Sequence, residues 1–147
     1  MKTKREPKTI WDPETGIAKC IITVNGKQFI GEAKCCEVDK DMMSEKTGCT
    51  IAYARARIKY YIHARDNEIK PALMALKHIY NNISCGKNFN KNSHENYLLR
   101  RSIRQKESEL DVIKDIIDSE KQELSRLIKE KDHFYKAIRA NRSSGQK

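Results

Sequence analysis

Across residues 99–138 apolar side chains recur at alternating spacings of four and three, with no Pro or Gly between them, and this heptad pattern constrains the chain more than any other stretch. With Ile103 at position a, one seam row holds Ile103, Leu110, Ile117, Leu124, Lys131 and Ile138. The d row holds Leu99, Lys106, Ile113, Glu120, Leu127 and Phe134. Nine of these twelve positions are apolar, so the stretch reads as one long helix. At ~1.5 Å per residue it is a rod on the order of 60 Å long.

The rest of the chain is too short to cover such a rod, so its far half is expected to need a partner. A parallel dimer would set Lys106, Glu120 and Lys131 each against its own copy. An antiparallel homodimer avoids this: one register, centred near Ser125 and Arg126, matches Glu120 with Lys131, Leu124 with Leu127, Ile117 with Phe134, and Ile113 with Ile138. Leu99, Ile103 and Leu110 are then left for the chain's own first half. The alternative is a single amphipathic helix lying on its own domain or on another protein. Ile116, Ile128 and Tyr135 widen the stripe, which suits a bundle or a heterologous partner better than a two-stranded coil.

The first half predicts a ββαα head over residues 10–83, after a basic, disordered tail at 1–9. Trp11 opens the folded part and residues 12–16 form a turn. Residues 17–24 are rich in β-branched side chains and read as a strand. Asn25-Gly26 is the preferred pair for a type I′ hairpin turn, and residues 27–35 return with Phe29, Gly31, Ala33 and Cys35 on the buried face. An acidic, irregular stretch carries Glu37, Asp39, Asp41 and Glu45, with Met42 and Met43 turned back to the core. A helix over 49–64 ends at Asp66 and Asn67, and a second, with Pro71 in its first turn, runs to about residue 82. A polar linker at 84–96, the long coiled-coil-type helix at 97–140 and a disordered tail at 141–147 complete an α+β chain. A hairpin is not stable alone, so it must lie on the two helices and the near end of the rod, or pair with a second copy.

Charge is segregated. The net +10 divides into +3 over residues 1–9, +2 over 10–83, +5 over 84–106, −4 over 107–128 and +4 over 129–147. Basic ends around an acidic rod centre point to polyanion contact, with RNA, DNA or a nucleic-acid-loaded protein as partner. Two groups of cations are candidates for phosphate: Arg55 and Lys59, with His63 in line and Arg57 and Tyr60 beside them, and Arg100, Arg101, Arg104 and Lys106 at the start of the rod. Such contacts add affinity without reading sequence. The competing reading of each group is a solvated helix face.

Chemistry is sparse. Glu32-x-Lys34, with Asp12 upstream, has the acidic-x-Lys form of a nuclease strand, but the larger mixed sheet of such enzymes is missing and exposed charges alternate this way routinely. The five cysteines, Cys20, Cys35, Cys36, Cys49 and Cys85, include no C-x-x-C pair, so they read as small buried hydrophobes in a reducing compartment and not as zinc ligands. His94 reads as a solvated linker residue. No catalytic residue, metal or cofactor is expected, nor a membrane span; the chain reads as a cytoplasmic binding protein.

Gly31-x-Ala33-x-Cys35, the loop with Asp39 and Asp41, and Gly48-x-x-Ile51-Ala52-x-x-Arg55-Ala56, following the Asn25-Gly26 hairpin, resemble small accessory proteins of phages and prophages of Gram-positive bacteria. The likeness covers residues 31–59. It departs at Met42 and Met43, where an aromatic is usual, and at Cys36, where His is usual. It implies a non-enzymatic protein acting in the host cytoplasm and, by analogy, an anti-CRISPR-like inhibitor of a host defence nuclease such as a guide-RNA-loaded CRISPR effector. The alternatives are a nucleic-acid-binding accessory protein without sequence specificity, and a purely structural oligomerisation module.

Overall fold

The computed structural model describes residues 6–34 and 45–145, with side chains from Pro7 to Lys34 and from Glu45 to Asn141. Cys35, Cys36, Met42, Met43 and the acidic stretch around them lie outside the described residues, except Glu45, which is helical and not irregular as expected. The chain is α+β: an antiparallel sheet of order β1-β2-β3 followed by helices, the last of them long. The strands are β1 (Glu6–Asp12), β2 (Ile17–Val24) and β3 (Lys27–Lys34); the helices are α1 (Glu45–Ala64), α2 (Lys70–Ser84) and α3 (His94–Gly145). The described residues form two compact units, 6–34 and 45–60 with 119–145, and 61–118.

In the first unit the sheet has three strands, not the two expected. Residues 6–9, assigned to a disordered tail, belong to β1, which pairs with β2 from Glu6 opposite Thr23 to Asp12 opposite Ile17. Pro7 hid this strand, but an edge position has no second neighbour to miss its N–H. Asn25 and Gly26 take φ of 50° and 79°, as a type I′ turn requires. Ala18, Cys20, Ile22 and Val24 alternate inward along β2, and Gly31 and Ala33 do so on β3. They pack against Ile51, Ala52 and Ala56 of α1, with Trp11, Phe29, Tyr53, Tyr60, Leu124, Leu127 and Ile128 at the margins.

Small residues let α1 lie close to the sheet. A Cβ placed on Gly31 would stand 2.0 Å from the Ala52 carbonyl oxygen and 2.4 Å from the Ala56 nitrogen, closer than any side chain can be accommodated. The Gly31, Ala33, Ala52 and Ala56 pattern is therefore a packing device.

The second unit holds the end of α1, α2, the connection to α3 and the first part of α3. Asp66 and Asn67 do not break the helix as expected: residues Arg65–Ile69 form a π-helical turn that leads into α2. Arg65 and Lys70 both pair with Asp66, at 2.8 and 3.3 Å, and hold its carboxyl below the usual carboxylate range, the hydrogen bond from Arg65 contributing most. Ala64, Ile113 and Ile117 form the core here, with Tyr61, Ile62, Ile69 and Leu110 around them.

The linker is also shorter than expected. Ser93 caps α3: its Oγ accepts from the Asn96 N–H at 3.2 Å and its carbonyl from the Tyr97 N–H at 2.9 Å, so the helix begins at His94 and continues past residue 140 to Gly145. Asn96, buried, donates through Nδ2 to the Asn90 carbonyl at 2.6 Å. Phe89 meets the ring of Tyr80 edge-on at 5.9 Å, anchoring the connection on α2.

Candidate nucleic-acid interface

The structure gives the basic side chains different employments. Arg55 donates to the Glu32 carbonyl and Lys59 to the Ile30 carbonyl, each at 2.6 Å. Both acceptors lie on β3, an outer strand of the sheet, so these cations satisfy backbone groups at its edge. The four-residue spacing that suggested a phosphate-binding face is equally the spacing needed to reach alternate residues of a strand. Glu32 itself pairs with Lys19 at 3.5 Å, an exposed cross-strand contact.

In the second unit Arg100 is also committed. It donates to the Lys91 carbonyl at 2.9 Å and to the Asn96 carbonyl at 3.4 Å, tying the connection to the first turns of α3. Lys106 pairs with Glu109 at 3.0 Å. Arg101 and Arg104 differ from both. They are exposed, and neither makes a hydrogen bond or ion pair among the described residues. Together with Tyr97, Gln105 and Ser108 they line an open groove of about 480 Å³ on one face of α3.

Helical spacing explains this grouping. Positions 97, 101, 104, 105 and 108 follow the i, i+4, i+7, i+8 and i+11 pattern and so share one side. Tyr97 is 47% exposed, and the His94 ring lies near-parallel to its own, with centroids 6.5 Å apart. In the sequence the arginines stand out as a basic cluster and Tyr97 does not. The signal was an aromatic one helical turn before Arg101.

The seam residues fall in both units. Ile113 and Ile117 are core residues of the second. In the first, Leu124 and Leu127 pack on the sheet's core, and Glu120 pairs with Arg57 at 3.0 Å. Lys131 and Phe134 line a second groove, of about 550 Å³, with Lys46, Thr47, Thr50 and Tyr135 among its walls. Phe134 is 53% exposed there while its neighbour Tyr135 is buried, so the inward position shifts by one residue at this end of α3. Ile138 is half-buried. Arg126, at the centre of the expected antiparallel register, is exposed and pairs with Glu123 and Glu130 of its own helix.

Among the described residues there is no group of three or more His, Cys, Asp or Glu side chains placed to hold a metal, and no helix long and apolar enough to cross a membrane. Comparison of the chain with protein-family models, with curated proteins and with solved structures finds no match.

Proposed function

We propose that this chain is a non-enzymatic nucleic-acid-binding protein that takes a phosphate backbone along the groove of Arg101 and Arg104. The observation that carries this reading is the contrast between those two arginines and the other candidate cations. Arg55, Lys59, Arg100 and Lys106 are held by partners within the chain, whereas Arg101 and Arg104 stand free beside hydrogen-bonding groups from Gln105 and Ser108. A free guanidinium presents a fork of donors that matches phosphate oxygens. Nothing in the groove requires a particular base, so affinity is expected to be insensitive to sequence.

The test is fluorescence anisotropy with labelled DNA and RNA across a salt series. Two to three phosphate contacts give a slope of log K against log salt of about −1.5 to −3. Arg101→Glu with Arg104→Glu removes binding, and Lys106→Ala changes it little. Binding that survives the double reversal overturns the assignment.

A second reading has one observation in its favour. Beyond the arginines, Glu107, Asp111 and Asp115 form an exposed acidic row with four-residue spacing on the same helix. Adjacent cationic and anionic surfaces suit a nucleoprotein target, such as a guide-loaded defence nuclease, which the chain would inhibit by meeting its nucleic acid and its basic channel together. Such an inhibitor blocks cleavage at near-stoichiometric amounts, and nuclease treatment does not release it from the target.

A further inference from the structure

Resting on the phosphate-binding reading of the α3 groove, we infer that its nucleic acid is single-stranded and that Tyr97 stacks on one of its bases. The groove sets an aromatic ring and two unpaired guanidinium groups on one face of one helix. Tyr97 and Arg104 are seven residues apart, about 10 Å along α3 at ~1.5 Å per residue. That length accommodates two or three nucleotides at roughly 3.4 Å per stacked base. A strand running along the helix therefore places one base over the ring while its neighbouring phosphates reach the arginines.

Exposure of Tyr97 has no structural purpose that its neighbours reveal. Its 47% exposure leaves much of the side chain in water, and its nearest aromatic neighbour is His94 one turn earlier. A ring held beside cations is the arrangement by which proteins grip single strands without reading sequence: bases stack on the aromatic face and cations follow the backbone. A duplex cannot use the ring, because its base faces are covered by neighbouring pairs. It can offer only phosphates to Arg101 and Arg104. Preference for a single strand is thus a property of Tyr97, separable from the charge of the groove.

The experiment measures anisotropy of the full chain with four labelled probes of about 12 nucleotides at about 50 mM salt: oligothymidine, oligouridine, a DNA duplex and an abasic deoxyribose-phosphate strand. Wild type is expected to bind the single strands about 10-fold or more tighter than the duplex and the abasic strand. Tyr97→Ala is expected to lose about 5- to 100-fold on the single strands, and Tyr97→Phe to stay within about 3-fold of wild type. Circular dichroism confirms that each variant keeps its helicity. Tyr97→Ala weakening both oligothymidine and oligouridine supports the proposal, whether or not the two probes differ in affinity. Equal binding of abasic and base-carrying strands, or an unaffected Tyr97→Ala, overturns stacking. If Arg101→Glu with Arg104→Glu still removes binding in that case, the phosphate-binding reading stands alone. No binding to any probe overturns both.

Discussion

Glu120 of α3 and Arg57 of α1 approach within 3.0 Å, so the one acidic residue in the heptad seam is answered from within the chain. Arg57 also lies over the Tyr53 ring, 4.4 Å from its centroid. Both side chains are mostly buried, at 29% and 22% exposure; the 3.0 Å contact joins Arg57 Nη2 to Glu120 Oε2 without hydrogen-bond alignment, and Arg57 Nε is buried with no acceptor. Charge here costs desolvation that the pair recovers only together. Glu120→Ala, which strands the guanidinium, is expected to cost about 2–3 kcal/mol in urea unfolding, whereas Arg57→Met with Glu120→Leu costs less than either single change to Ala.

Gly31 supplies a sharper case. Gly31→Ala places a methyl group against the backbone of α1, which cannot rotate away as a side chain would. The helix must lift from the sheet over Ala52 and Ala56, and the expected loss is about 3 kcal/mol, at the upper end of ordinary overpacking. The measurement is the urea midpoint. Gly26→Ala provides a contrasting control: a Cβ there meets nothing within 4 Å, and the cost comes only from its φ of 79°.

These cases show which features the sequence makes legible. The hairpin can be read because strand alternation and the positive φ of Asn25-Gly26 are local requirements. β1 cannot, because Pro7 and its charged neighbours look like a tail until β2 is placed beside them. Asp66 and Asn67 are local helix breakers, yet the chain absorbs them in a π-helical turn held by Arg65 and Lys70. The seam announces a buried stripe, but a heptad is the same whether its cover comes from another copy or from the chain itself. Likewise, Arg55 and Lys59 have the spacing of a phosphate-binding face, and only the position of β3 shows that backbone carbonyls use it.

Arg55→Ala with Lys59→Ala therefore tests an architectural role. Losing both hydrogen bonds from charged donors leaves the β3 carbonyls at 30 and 32 to water or to another strand. Stability is expected to fall by about 1–3 kcal/mol, with increased light scattering at high protein concentration as the edge becomes available for pairing. Nucleic-acid affinity should remain near wild type. A variant that stays stable and monomeric but loses nucleic acid would return these residues to the interface.

Cys20, buried, and Cys49, half-buried, are expected to make stability fall in alkali. Burial pushes the Cys20 and Cys49 thiols above their ordinary range, with the neighbouring thiol adding to the shift at Cys20 and Glu45 adding at Cys49. On unfolding they return to a pKa of about 8.5, so above that pH the unfolded chain has shed protons that the folded chain retains. Their contribution is complete below about pH 8.5 and is lost as pH rises toward the folded values. Urea titrations at increasing pH should show this decline, and Cys20→Ala should flatten it. Among the described cysteines, exposed Cys85 should react first with a thiol reagent, and Cys20 only after unfolding.

Ile117 and Phe134 decide what covers the seam. In an antiparallel homodimer they share one layer, so Ile117→Asp and Phe134→Asp should break it about equally and the melting temperature should rise with protein concentration. Covered within the chain, the two positions are unequal. Ile117 is 1% exposed in the core with Ala64 and Ile113, and Phe134 is 53% exposed. Ile117→Asp buries an unpaired carboxylate and is expected to cost about 4 kcal/mol or more, while Phe134→Asp costs about 0.5 kcal/mol. Thermal melts of wild type should then be independent of concentration. Equal losses with a concentration-dependent melt would instead assign the far half of α3 to a second copy.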